Sequence, residues 1–364
     1  MSASARGGRG GRLVLSGFEL LTAVGNDARQ TCASIRAGVS RIAEYPFFAP
    51  TTLDPGWDEQ EPVMVAAVKT VPFELPLRAR LVALGAQVLR ALPGQVPLTR
   101  ADLAQTALLV ALPWADDAVK EAQIPTRLVP ELLHACGLPD FPVMRTVAGG
   151  HTAVFELIEL AEKLLAQQQA ASAIVLAVDS YLGGQRLALL DQAWRLRSAR
   201  NVDGFVPGEA AAALFIETQT AARRRAGKVA ALIGSVGRGS EPNLVTSDDQ
   251  STGRGLTDAI DQAFAESTTT GLCPWVLCDM NGESYRAYEW GLARTRIPAR
   301  LGSVGRLVHP ADCIGDVGAV TGAVLLGIAA GGFARNYAPA GEALLWTASD
   351  GPTRAAVCVE APVP

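Results

Sequence analysis

His151 and Thr152 are the residues of this sequence best placed to do chemistry. They lie in RTVAGGHTAVFELIELAEKLL, residues 145–165, where a strand-like run breaks at Gly149 and Gly150 and continues as an amphipathic helix. A helix N-terminus presents free backbone N–H groups and the positive end of the macrodipole, so it suits a reactive anion such as a thiolate. No cysteine or serine occupies Val147–Thr152. His151 is left as a candidate nucleophile or base, with simple packing as the alternative, and the positive helix end predicts a neutral imidazole. Thr152 has an acylatable hydroxyl, but the sequence places no base beside it.

The remaining reactive side chains form no constellation. The only other histidines are His134 and His309, too few for a histidine-rich metal site. The six cysteines sit in apolar contexts and read as free, buried thiols of a reducing compartment. Cys273 and Cys278 are spaced too loosely for a zinc pair, and His134 with Cys136 in LLHACG reads as core packing at a helix end. No metal and no cofactor is expected. GSVGRG, residues 234–239, matches a phosphate loop only loosely.

The elements that must position these residues alternate between strand and helix. RLVLSGFELLTAVGN is a strand and turn, LRARLVALGAQVLRAL a helix, QTALLVALP a buried strand ended by Pro113, and Arg127–Ala135 another helix. ASAIVLAVDS, residues 171–180, is a continuous apolar run, as in a strand covered on both faces. Residues 46–75 are Pro-rich and read as a loop-rich insertion. A second series follows: KVAALIGSVGRGS as strand and Gly-rich turn, LTDAIDQAFAES as helix, PWVLCDMNGES as strand and turn, CIGDVGAVTGAVLLGIAAG as a small-residue helix, and EALLWTASDG as strand. In both series a helix of small and apolar residues precedes an apolar strand that ends in Asp. The pattern predicts an α/β fold of two related halves, over residues 12–220 and 221–364, after a flexible tail at residues 1–11.

Bulk properties exclude several classes. The chain has 364 residues, 49% of them apolar and 19% charged, with a formal charge of −4. That balance gives no reason to expect nucleic-acid or anionic-membrane binding. No apolar run reaches the roughly 20 residues that span a bilayer, and MSASARGGRGGR lacks the hydrophobic stretch of a secretory signal. A cytoplasmic protein is expected.

NVDGFVPGEAAAALFIE, residues 201–217, closely resembles the D-G-F-V-x-G-E-G-A segment of the β-ketoacyl synthases of the thiolase superfamily. RLVLSGFELLTAVGN resembles that family's opening strand, and AALIGSVGRGSEPNLVTSDD the start of its second half, so the likeness runs in order from about Arg12 to Glu360. It implies a thiolase-like five-layer α-β-α-β-α sandwich of two pseudo-symmetric halves, usually a homodimer paired through edge strands. It also implies a cysteine at the start of a buried helix, two histidines that support decarboxylation, and a Gly-rich loop beside the oxyanion hole.

Carried over residue by residue, the catalytic set is missing. Gly150 or His151 stands at the cysteine, and Asn281 in DMNGES at the first histidine. Matching GDVGA to the family's Gly-Ala run puts Asp312 at the second histidine and Leu307 at a lysine, with His309 out of register. Only Gly351 survives of the Gly-rich loop, and Pro352 removes a donor. Asp203, Gly204, Phe205, Gly208 and Glu209 remain as the turn that anchors the site. The resemblance therefore implies a degenerate ketosynthase-like protein that does not condense acyl chains. It would act as a homodimer, as a heterodimer with a ketosynthase-like subunit, or as an adaptor or chaperone, with a protein or an acyl group as its partner. The alternative is acyl transfer or thioester hydrolysis centred on His151, Asn281 and Asp312.

Overall fold

The apolar run at residues 172–180 is a strand with every residue buried, and it sits inside a sheet covered on both sides. The structure is a computed structural model that describes residues 11–50, 62–199, 201–265, 267 and 271–362. The N-terminal tail up to residue 10, and residues 51–61 of the Pro-rich insertion, lie outside the described residues. The strands are β1 (Leu13–Thr22), β2 (Ala43–Glu44), β3 (Met64–Val65), β4 (Thr106–Ala111), β5 (Val143–Val147), β6 (Ser172–Ser180), β7 (Glu209–Thr218), β8 (Ala231–Ser240), β9 (Trp275–Cys278), β10 (Arg306–Val308), β11 (Glu342–Ala348) and β12 (Thr353–Glu360). β2, just before the insertion, pairs with β3 inside it.

The other ten form one continuous sheet in the order β10-β9-β11-β12-β8-β1-β7-β6-β4-β5. Its centre is a narrow seam, where β1 meets β8 through Leu13, Val14 and Leu15 only. Either side of the seam the plan repeats. β1-β7-β6-β4-β5 corresponds strand for strand to β8-β12-β11-β9-β10, with the first two pairings antiparallel and the last two parallel in each half.

Two helices fill the space between the halves of the sheet: Ala153–Ala166 and Thr321–Ala334. In the second, TGAVLLGIAAGGFA, every residue from Thr321 to Phe333 is buried and no polar face exists. That composition is stable only where a helix is surrounded by apolar neighbours. Leu77–Ala91 and Ile124–Cys136 cover the outer face of the first half, while Arg254–Ala265 and Ser284–Arg296 cover that of the second. The result is the five-layer α-β-α-β-α sandwich that the resemblance implied.

Local readings differ from the structure in three places. The GSVGRGS stretch is no loop: β8 runs straight through it, and Gly237 lies so close to helix Arg254–Ala265 that a Cβ there would sit 2.0 Å from the Ala259 carbonyl oxygen. The small-residue helix after Cys313 is broken at Gly315–Gly318, which frees a short loop for the site. His134 is solvent-exposed in the last turn of its helix rather than core, because that turn buries Leu132 and Leu133 and leaves the His134 side to solvent. All six cysteines are free thiols, five of them buried and Cys136 partly so.

Candidate functional site

Each central helix begins with the same device. A glycine with positive φ, Gly150 (φ 60°) or Gly318 (φ 50°), starts a single 3-10 turn that runs into the helix. The left-handed backbone strongly disfavours a side chain with a Cβ. A Cβ on Gly318 would also sit 2.1 Å from Asp179 Oδ2. The two turns pack against each other, so residues just after Gly150 meet residues just before Gly318.

That meeting brings His151 and Asp316 together. His151 is buried, and its Nε2 lies 2.8 Å from Oδ1 and 3.0 Å from Oδ2 of Asp316. The Asp316 backbone is clamped by the VPGE segment: its N–H donates to the Val206 carbonyl at 2.8 Å, and its own carbonyl accepts from Gly208 N–H at 2.8 Å. Its carboxylate accepts further bonds from Gly318 N–H at 2.8 Å and Asn281 Nδ2 at 2.7 Å.

Burial alone would lower the pKa of His151, but the Asp316 carboxylate more than offsets this and holds it above the usual imidazole value. Asp316 is held well below the usual carboxylate range. Burial pushes it up, but His151, Arg286 and the Gly318 N–H overcome that. The expectation of a neutral His151 is therefore corrected. The adjacent carboxylate outweighs both burial and the helix end and shifts His151 towards its protonated form.

The pair opens onto a larger buried network. Asn281 also donates to Glu283 Oε2 at 3.0 Å. Arg195 grips Glu283 through Nε and Nη2 at 2.7 and 2.9 Å, and reaches Asp350 through Nη1 at 2.8 Å. Arg286 binds Asp279 at 2.8 Å and Asp350 at 3.2 Å. Beside this network Arg186 holds Asp179 at 2.7 Å, and Asp179 accepts from Ala319 N–H at 2.8 Å. Burial raises the pKa values of Asp179 and Asp279, and their arginines oppose it. The interior around His151 is therefore a network of paired, largely buried charges.

The other site residues fall inside and outside this cluster. Asp312 does not join it: its side chain is 69% exposed and pairs with His309 Nδ1 at 2.8 Å. The residue that faces His151 is Asp316, four positions later, because the loop at Gly315–Gly318 shifts the register. The Thr152 hydroxyl donates to Glu156 Oε1 at 2.8 Å and lies 3.4 Å from the Gly149 carbonyl, so the helix itself sets a carboxylate beside it, one turn on, where the sequence alone placed no base. Asp203 accepts from Ser284 N–H and Oγ, at 2.5 and 2.9 Å, at the start of helix Ser284–Arg296. Gly204 and Phe205 continue that turn, Phe205 N–H donating to the Arg195 carbonyl at 2.9 Å. Glu209 is fully buried against Arg80 (2.5 Å) and Ser180 (2.8 Å).

Gly351 lies under the indole of Trp114, where a Cβ would come within 2.5 Å of the ring, and Ser349 Oγ donates to the Gly149 carbonyl at 2.9 Å. Trp114, Asp179, Arg195, Asp279, Glu283, Arg286, Asp316 and Asp350 were not legible as site residues. The one available signal was that buried strands end in acidic residues: VDS, LCD and ASD. A mostly apolar cleft of about 720 Å³, lined in part by Met64, Val202, Val206, Asn281 and Asp312, opens beside Asn281. No group of histidine, cysteine or acidic side chains among the described residues could hold a metal ion.

No protein-family model and no curated protein sequence matches the chain. Solved structures do. The oxazolomycin ketosynthase domain OzmH KS7 of Streptomyces albus JA3453 superposes with a TM-score of 0.77 at 15% identity, over 97% of this chain and 74% of that one. A type II polyketide synthase ketosynthase, in complex with its acyl-carrier protein and bound to the hexaketide, gives 0.78 at 13% identity, covering 98% and 100%. The ishigamide ketosynthase/chain length factor gives 0.71 at 17% identity, covering 97% and 100%. The chain has the thiolase-like fold of the ketosynthases. No helix among the described residues is long and apolar enough to cross a membrane.

Proposed function

We propose that this chain is a catalytically silent subunit with a ketosynthase fold, which acts by assembling with a second subunit of the same fold. One observation carries the reading: the nucleophile's seat is occupied by His151, locked to Asp316 in a buried ion pair. Decarboxylative condensation requires a soft nucleophile for the acyl group and neutral donors for the malonyl carboxylate and the enolate. Here the residue at the helix start is an imidazole whose Nε2 is already bound to a carboxylate. Its surroundings carry the carboxylates of Asp316, Asp279, Glu283 and Asp350. Arg195 and the buried Arg286 are already held by these carboxylates, so a malonyl carboxylate would have to displace one of them to find a partner.

Assembly is supported by the open edge of the first half. β5, the last strand of the sheet, pairs only with β4 among the described residues, and its central residues Met144, Arg145 and Thr146 are exposed. Met144 is among the large hydrophobic side chains left open to solvent. An unpaired strand with apolar neighbours is a natural surface for strand addition or helix cover. Among the similar structures, one is described as a ketosynthase/chain length factor and another as a ketosynthase complex with an acyl-carrier protein, which fits a chain that works in company. An acyl-transfer centre on His151, Asn281 and Asp312 has less support, because Asp312 shares a cleft with Asn281 but is exposed and paired with His309, while the carboxylate on His151 is that of Asp316. Size-exclusion chromatography with light scattering tests the assembly. The expected result is a species heavier than the 38.1 kDa chain, alone or with a ketosynthase-like partner; a 38.1 kDa monomer under both conditions counts against it.

A further inference from the structure

The cation cluster far from His151 has no part in the reading above. Helix Ala28–Arg36 presents Arg29, Ala33 and Arg36 at i, i+4 and i+7, so all three lie on one face. Arg335, which follows helix Thr321–Ala334, and Tyr337 form the opposite wall. Together with Ala37 these residues line a hollow of about 500 Å³ with two alanine methyls on its surface, within the size range of small-molecule sites. The guanidinium of Arg36 lies over the Tyr337 ring, 4.2 Å from its centroid, which fixes the plane of its N–H groups. Burial raises the Tyr337 phenol and the Cys32 sulfur adds to that, while the positive charges of Arg335, Arg36 and Arg306 oppose it.

None of Arg29, Arg36, Arg306 and Arg335 pairs with a carboxylate within 4.0 Å among the described residues. The chain as a whole carries a net charge of −4, so a patch of one sign without counter-ions is not a consequence of composition. Helix ends account for part of it: Arg36 and Arg335 sit at C-termini, where a cation is favoured. Arg29 is the second residue of its helix, where the dipole opposes a cation, so the cluster exceeds what helix ends require.

We infer that this hollow is a binding site for a small phosphate- or pyrophosphate-bearing molecule, gripped by the forks of Arg36 and Arg335 with Arg29 on the rim. Guanidiniums bind phosphate oxygens in pairs of parallel hydrogen bonds, and the hollow is too small for a folded partner. Calorimetric titration of the full chain with inorganic pyrophosphate tests this. The hexaglutamate peptide serves as a second titrant, and Arg36→Gln, Arg335→Gln and the exposed Arg127→Gln serve as variants, each checked for an unchanged melting curve. The expected result is saturable binding of pyrophosphate, weakened roughly tenfold or more by either Arg36→Gln or Arg335→Gln, unchanged in Arg127→Gln, and weakened by salt. No saturable heat up to about 5 mM pyrophosphate, or equal binding by all variants, overturns the inference. So does binding of hexaglutamate without pyrophosphate, which would make the patch a docking surface for an acidic protein segment.

Discussion

Removing the imidazole of His151 should destabilise the chain more than any surface change, and the size of the loss follows from what stays behind. In His151→Ala, Asp316 remains buried but keeps Asn281 Nδ2 and the Gly318 N–H as donors, and Arg286 still acts on it. Breaking a buried pair by deleting one partner costs about 3–5 kcal/mol, and the surviving donors place this case near about 3. A chain of this size has a urea m-value of about 3 kcal/mol/M, so the midpoint should fall by about 1 M. The double variant His151→Ala/Asp316→Ala removes the orphaned charge as well, and should cost no more than about 1 kcal/mol beyond the single one. The assay is urea unfolding at neutral pH followed by both fluorescence and circular dichroism, whose coincidence checks two-state behaviour. A loss under about 1 kcal/mol for His151→Ala, or strictly additive losses in the double variant, would refute the buried ion pair.

Three further outcomes follow from the same geometry. The pair's contribution to stability should be complete between about pH 4 and about pH 6.5, the ordinary values of an aspartate and a histidine. It should decline as pH rises through the raised value of His151, and again as pH falls towards the depressed value of Asp316, with the raised Asp179 and Asp279 blunting the acid side. Chemical denaturation in steps from pH 3 to pH 9 reads this out, and a flat profile above neutrality contradicts it. Asp312→Asn should change stability by no more than about 0.5 kcal/mol, because an exposed pair with His309 is worth little; thermal melting checks it. Met144→Asp, on the exposed edge of β5, should shift the light-scattering mass towards that of a single chain while leaving the melting profile of that chain intact.

The fold was largely legible because its signals are local. Strand β6 and helix Thr321–Ala334 are apolar throughout, which only burial on all sides explains, and the DGFVPGE segment named the architecture they belong to. The site was half legible. His151 and Asn281 were found because each lies beside a turn glycine in a recognisable run. Asp316 was missed because Gly315–Gly318 forms a tight loop rather than continuing a helix, and a register taken from the Gly-Ala run landed on Asp312. The signal was present in GDVG, an acidic residue held between two glycines. Arg195 and Arg286 were out of reach of any local reading. Arg195 belongs to the first half and its partners Glu283 and Asp350 to the second, so only the packing of the two halves joins them, while Arg286 meets Asp279 and Asp350 through the fold of the second half.

The central claim is that the condensing site has lost its chemistry, and direct assay tests it best. Purified protein incubated with acyl- and malonyl-loaded carrier protein, alone and at concentrations that saturate its self-association, should give no ketoacyl product by mass spectrometry and no acyl group bound to the chain. A ketoacyl product formed at a rate that His151→Ala abolishes would contradict the account.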